Sequence, residues 1–275
     1  MLLTRIISSA FGIILLVIVM IAPEIWFDVA LAIIALIAMS ELNSAFKSRE
    51  LKPIEWLGYG SVLFVLLLRV ALSLEFCSNK VAFLLVLGFS LMVIYLMFTK
   101  IVLSNNKINF VDASVTILSI LYVTFLFSFL GFTRHMIDGR FIVWFVFIGG
   151  WVTDVSAYFS GRLLGRNKLI PEISPNKTVE GSVGGLIGCI IVTVIYGLSI
   201  KSYLKVDMGI LHFIVLGMFT SIFAQLGDLT ASAIKRTTKI KDYGDIMPGH
   251  GGVIDRFDSI LFVAPIVFFF FKIFM

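Results

Sequence analysis

Apolar runs long enough to cross a bilayer recur along the whole chain, and they leave few alternatives for its fold. They lie at about 6–22, 25–45, 56–74, 81–99, 113–131, 139–160, 182–200, 208–227 and 259–275. A spanning helix needs about 20 residues. In hydrocarbon, only helices and closed barrels satisfy every backbone N–H and C=O group, and runs of this length select the helix. Hydrophobic residues make up 59% of the 275 positions, above what a soluble domain carries. The expected fold is therefore all-α: a polytopic integral membrane helical bundle of about nine transmembrane helices. Arg5 ahead of the first run could suggest a secretory leader, but no small-residue cleavage pattern follows it, so the run is kept as a span. No repeat, low-complexity tract or linker divides the chain. Residues 1–275 thus read as a single membrane domain, with 1–137 mainly spanning scaffold and 138–275 the half that carries polar chemistry.

Basic residues are divided unevenly between the two ends of these spans. With nine spans, the N-terminal side would carry 15 of the 22 Lys and Arg residues and the opposite side 6, with Arg69 inside a span. The positive-inside bias then places the N-terminus in the cytoplasm. A formal net charge of +5 suits contact with anionic lipid headgroups and follows mostly from this topology. Arg69 is expected to snorkel from near a helix end, and Glu41 to cap or anchor the second span. His135 and His212 lack partners at ligand spacing. Cys77 and Cys189 form no CxxC pair, so neither a metal knuckle nor a disulfide is indicated.

Two stretches gather charge in a chain that is only 14% charged. From Asp228 to Asp258, the aspartates Asp228, Asp242, Asp245, Asp255 and Asp258 alternate with Lys235, Arg236, Lys239, Lys241, His250 and Arg256. If the preceding apolar run continues as a helix, Asp228, Ser232 and Lys235 share one face. Pro248-Gly249-His250-Gly251-Gly252 cannot continue that helix and reads as a tight loop that presents backbone N–H groups. Asp255 and Asp258, three residues apart, can address a common point from a new helix. Carboxylates for a hard cation beside lysine and arginine for phosphate oxygens are what a metal-assisted phosphate site requires. A solvated topogenic loop would need the cations but neither the carboxylates nor the glycines. The second stretch runs from Trp151 to Gly185. Asp154 lies within an apolar run, where a carboxylate normally faces a cavity or partner, and Tyr158 follows on the same face. Beyond a basic loop, Ser174, Lys177 and Thr178 surround a proline turn able to hold an anion, although no GxxxxGK[ST] pattern is present.

The 27 residues from Ser232 to Asp258, S-A-I-K-R-T-T-K-I-K-D-Y-G-D-I-M-P-G-H-G-G-V-I-D-R-F-D, closely resemble the signature of the phosphatidate cytidylyltransferases, or CDP-diacylglycerol synthases. D-x-x-A-Y-x-x-G from Asp154 and S-P-x-K-T-x-E-G from Ser174 resemble the other stretch typical of that family. Met247 stands where Leu, Ile or Phe is expected, a swap that keeps volume and apolar character. The resemblance covers roughly 151–185 and 221–258 closely, and elsewhere only the pattern of spans. It implies condensation of CTP with phosphatidic acid to give CDP-diacylglycerol and pyrophosphate, with Mg2+ as cofactor and room for a second cation, divalent or K+. It implies Asp228 and Asp255 as metal residues, with Asp258 a further ligand. Lys235, Arg236 and His250 join them as catalytic candidates. Asp154, Tyr158, Ser174, Lys177, Thr178, Lys241, Gly251, Gly252 and Arg256 are candidate substrate contacts. The implied partners are membrane lipid and the two substrates, with no nucleic acid, and a homodimer is left open. A bacterial inner membrane with the site facing the cytoplasm is the expected location.

Three other readings are weaker. A CTP-dependent lipid kinase shares the cation-and-phosphate logic but not the Ser232–Asp258 signature. A CDP-alcohol phosphotransferase requires a D-G-x-x-A-R run that is missing. A cation transporter predicts charge spread through several spans rather than gathered in two loops on one side.

Overall fold

The computed structural model of the chain describes residues 12, 14–105, 107–204, 208–246 and 251–275. Among these, eight helices are long and apolar enough to span a membrane. They are α1 (Glu24–Lys47), α2 (Glu55–Ser73), α3 (Asn79–Leu103), α4 (Phe110–Arg134), α5 (Gly139–Leu164), α6 (Val179–Leu204), α7 (Ile210–Thr238) and α8 (Ile254–Phe274). Each coincides with an expected run from the second to the ninth. Of the first run, 6–22, residues 12 and 14–22 are described, and they show helix over 14–21.

The chain forms two compact units, Met1–Ser128 with Thr238–Val253, and Phe129–Thr237 with Ile254–Met275. In the first unit, α4 opens with a capping box in which Asn109 accepts from the N–H of Asp112 at 3.0 Å and Asp112 accepts from that of Asn109 at 2.9 Å. The same Asp112 accepts from Lys52 N at 2.7 Å, and Thr116 from Ile54 N at 2.8 Å, so α4 holds the short connection between α1 and α2. Ile54, Leu57, Val93, Met97 and Ala113 form a small core beneath it. On α3 only Ala82, Val93 and Met97 are buried, and Phe83, Leu84, Leu91, Tyr95 and Phe98 are exposed. An apolar surface of that extent is stable against lipid tails rather than water.

Arg69 departs from the snorkelling expected of it. It is buried, as is Asp28, and its Nε donates to Asp28 Oδ1 at 2.7 Å. A short ion pair offsets the cost of placing either charge at this depth, and it fixes α2 against α1.

The second unit packs α5, α6, α7 and α8 around buried aromatic rings, with Phe145 at 5.2 Å from Phe271 and 4.9 Å from Tyr196, centroid to centroid. Two segments widen into π-helix, Ile120–Phe125 in α4 and Ile148–Val152 in α5. The second lies one residue before Thr153-Asp154, where such a widening re-aims the side chains that follow. The basic loop between α5 and α6, expected to be irregular, closes as a small antiparallel hairpin of β1 (Lys168–Ile170) and β2 (Ser174–Thr178) with Ile170 opposite Ser174. Pro175 costs this two-stranded ribbon little, since each strand has a free edge.

Candidate active site

Charged residues meet in the second unit because α7 does not stop where its apolar run ends near 227. It continues to Thr238, and this carries Asp228, Ser232 and Lys235 along one face as their spacing predicts. Ser232 Oγ lies 3.5 Å from Asp228 Oδ1. Lys177, projecting from β2, forms an ion pair with Asp228 through Oδ2, and both side chains remain about one quarter exposed. Two turns beyond Asp228 along α7, Lys235 Nζ meets Asp255 Oδ1 at 2.7 Å. Asp255 belongs to the first turn of α8, and its side chain is almost fully buried.

Gly227 makes this convergence possible. A Cβ there would stand 2.4 Å from the carbonyl oxygen of Asp258, a backbone atom with no freedom to give way. Only glycine lets α7 cross α8 at that point, and the crossing sets Asp228 beside Asp258. Asp258 is buried, and its Oδ1 accepts from the N–H of Ser259 at 2.8 Å. Ser259 Oγ in turn donates to Asp154 Oδ2 at 3.0 Å. Each of Asp154, Asp228 and Asp258 lies within the electrostatic field of the other two, with Lys177, Lys235 and Arg256 as the cations in range. Three helices, α5, α7 and α8, each contribute one of these carboxylates.

The remaining candidates are distributed less evenly. Arg236 donates from Nε to the carbonyl of Ile173 at 3.1 Å and so braces the hairpin turn. Thr178 precedes the first residue of α6 and accepts from Gly181 N at 3.1 Å, the work of an N-cap. Ser174 begins β2. Tyr158 is exposed, and its hydroxyl accepts from Arg162 Nη1 at 3.1 Å. Arg256 is exposed on α8. Lys241, Gly251 and Gly252 belong to the first unit, where Gly251 takes a φ of 81°. His250 and Met247 lie outside the described residues.

Sequence reasoning gave no role to Ser259, Gln225 or Glu180. Gln225 of α7 and Ser182 of α6 are hydrogen-bonded side chain to side chain, and Gln225 Nε2 also donates to Ser182 O at 3.2 Å. Glu180 accepts from the N–H groups of Arg166 and Asn167 at 3.1 and 3.2 Å and so ties the connection between α5 and β1 to the first turn of α6. The signal for Glu180 was its place in S-P-x-K-T-x-E-G; for Ser259 there was only its adjacency to Asp258.

The Cytidylyltransferase family matches residues 3–274. The chain belongs to the cytidylyltransferase family. A protein of Staphylococcus haemolyticus named phosphatidate cytidylyltransferase is 38% identical over 237 residues, which are 86% of this chain and 85% of that protein. Proteins of the same name from Staphylococcus saprophyticus and Staphylococcus aureus are 42% and 39% identical over 173 residues. In both cases the match covers 63% of this chain and 64%, just under two thirds, of the relative. As a cytidylyltransferase the chain is a membrane-embedded nucleotidyltransferase, and its family depends in general on a divalent cation. Among the described residues, no three Asp, Glu, His or Cys side chains are placed to ligate one ion together. A hard divalent cation that keeps waters and substrate phosphates needs only one or two protein carboxylates, and Asp228 and Asp255, each beside a lysine, are of the right chemistry to supply them.

Proposed function

We propose that this cytidylyltransferase joins CTP to phosphatidic acid, giving CDP-diacylglycerol and pyrophosphate, at the cytoplasmic face of a bacterial inner membrane. The observation that carries this reading is the meeting of Lys177, Asp228, Lys235, Asp255, Asp258 and Asp154 in one unit of a membrane protein whose relatives bear that name.

In the reaction, an oxygen of the lipid phosphate forms a bond to the α-phosphorus of CTP, and the bond from that phosphorus to the β-bridging oxygen breaks to release pyrophosphate. The lipid phosphate is already anionic at neutral pH, so no side chain has to remove a proton. The protein's task is to align the reactants and neutralise phosphate charge. Lys177 and Lys235 suit that task because an ammonium has three N–H donors: each can keep its aspartate and still donate to a phosphate oxygen. Arg236 lies beside Lys235 and braces the hairpin that carries Lys177, so the triphosphate and the hairpin would share one support. Asp228 and Asp255 would each offer Mg2+ an oxygen, with Asp258 as a further carboxylate nearby and substrate phosphates and water completing the shell; when bound the ion supplies charge neutralisation at the reacting phosphates, and a second cation, divalent or K+, would sit among the same carboxylates. Ser259 fixes Asp258 and Asp154 relative to each other, so their oxygens are oriented before substrate arrives. Asp154, on α5, would line the approach of the lipid headgroup.

The test is transfer by purified protein with phosphatidic acid, Mg2+ and CTP labelled at the α or the γ phosphorus. Label in the lipid from the α position only, with γ label released as pyrophosphate, is the expected result. Lipid labelled from the γ position would make the protein a kinase and overturn the reading.

A further inference from the structure

Glu41 lies within the last two turns of α1, in the half of the chain where the sequence offered least chemistry, and it is buried. Its Oε1 accepts from the backbone N–H of Val253 at 2.8 Å. The carboxylate lies against Gly252, the last residue of the glycine loop, and against Gly244, which precedes the loop. A Cβ on Gly252 would stand 2.6 Å from both of its oxygens, and one on Gly244 would stand 2.7 Å from Oε1. Seven residues along α1, Ser48 Oγ donates to the carbonyl of Thr238 at 2.9 Å. Both ends of the 238–253 segment are therefore tied to the same edge of α1.

The tie at Val253 does a specific piece of work. Val253 immediately precedes Ile254, the first residue of α8, and so sits at the N-cap. A valine side chain has no acceptor for the orphan N–H groups of a helix start. In a capping box, the residue three positions into the helix reaches back to the N-cap N–H. Here that residue is Arg256, which has only donors. Glu41 supplies from another helix the acceptor that the local sequence lacks. What this fixes includes Asp255 two residues along the chain, where it pairs with Lys235, and Gly252 one residue back.

Resting on the function proposed above, we infer that Glu41 is a positioning residue for the nucleotide side of the reaction. By holding Gly252 and Val253 it sets where the glycine loop ends and where the first turn of α8 presents Asp255, without itself touching substrate. Asp154, assigned to the lipid side, is on α5 and is held by Ser259 instead.

The experiment measures initial rates of full-length protein in mixed micelles, with CTP and phosphatidic acid varied separately, for wild type, Glu41→Ala, Glu41→Gln, Gly252→Ala and the Glu41→Ala/Gly252→Ala double variant. Loss of a buried charged acceptor should raise KM for CTP by about tenfold or more in Glu41→Ala and leave KM for phosphatidic acid within about twofold. Glu41→Gln keeps an acceptor oxygen and should recover most of the loss. Gly252→Ala displaces the carboxylate without removing it and should show the same CTP-selective defect. The double variant should be no worse than the poorer single, because both break one contact. Gly252→Ala carries the test by itself if Glu41→Ala does not fold. A CTP KM unchanged in the folded variants, equal losses for both substrates, or single effects that multiply in the double would overturn the inference. Absence of cytidylyl transfer by the wild type would instead refute the reaction assigned above, so the two failures are distinguishable.

Discussion

At the scale of single residues, the site depends on what each aspartate is paired with. Asp228 and Asp255 both hold lysines, whereas Asp258 and Asp154 are joined through one serine. Removing charge at Asp228 takes away an oxygen donor and leaves Lys177 without its partner, so Asp228→Asn should lower kcat by at least about 100-fold with the fold intact. Size-exclusion and melting profiles matching wild type would accompany that loss, and near-normal turnover would refute the metal assignment. Ser259→Ala should act differently, because its backbone N–H still reaches Asp258 and only the hydroxyl's hydrogen bond to Asp154 is lost. KM for phosphatidic acid should rise by about 10-fold, with the Mg2+ concentration for half-maximal rate within about twofold of wild type. Titrating phosphatidic acid and Mg2+ separately distinguishes the two cases. The aspartates were legible in the sequence because charge is scarce there and because their spacing matched a known signature. Ser259 and Glu41 were not, since a hydroxyl or a carboxylate in an apolar run carries no sign of the partner it meets more than 100 residues away.

At the scale of elements, periodicity located the spans but not what shapes them. The run was expected to end near 227, and the shared face of Asp228, Ser232 and Lys235 was expected only if it continued as a helix; it does, to Thr238. The π-turns and the hairpin were not anticipated: a π-turn is a local i→i+5 bond pattern inside a helical run, and the hairpin is closed by backbone bonds between its strands, and side-chain periodicity encodes neither. Two substitutions probe the elements. Gly227→Ala forces the α7–α8 crossing apart against a carbonyl oxygen, so it should cost about 1–3 kcal/mol of stability and lower activity with it. Thermal unfolding in detergent with parallel rates would check this, and an unchanged melting temperature would show that the crossing tolerates a methyl. Arg69→Met leaves the Asp28 charge buried without its guanidinium and should destabilise by about 3–5 kcal/mol. The Arg69→Met/Asp28→Leu pair should recover most of that loss, since an apolar pair of similar volume needs no counter-charge. The snorkelling expectation failed because Asp28, 41 residues earlier, could not be recognised as a partner from spacing.

At the scale of the whole molecule, the orientation of the site in the membrane decides whether CTP can reach it. The reading rests on the imbalance of 15 basic residues against 6 between the two ends of the spans, and loops joining α5 to α6 and α7 to α8 then share one side. A soluble triphosphate does not cross a bilayer, so this side must be the cytoplasm if the proposed reaction is correct. Replacing Cys77 with Ser and Cys189 with Ala should leave activity near wild type, because neither residue touches the carboxylate cluster, and gives a background for single cysteines. Glu172→Cys lies at the exposed turn of the hairpin and Lys80→Cys at the exposed start of α3, on the opposite side by the charge count. A membrane-impermeant maleimide added to intact spheroplasts should label the cysteine at 80 and spare the one at 172, and inverted vesicles should give the reverse. Labelling of 172 from outside would put the carboxylates and both lysine pairs on the face where no CTP is available, and the charge bias would then have misled at the point where it mattered most.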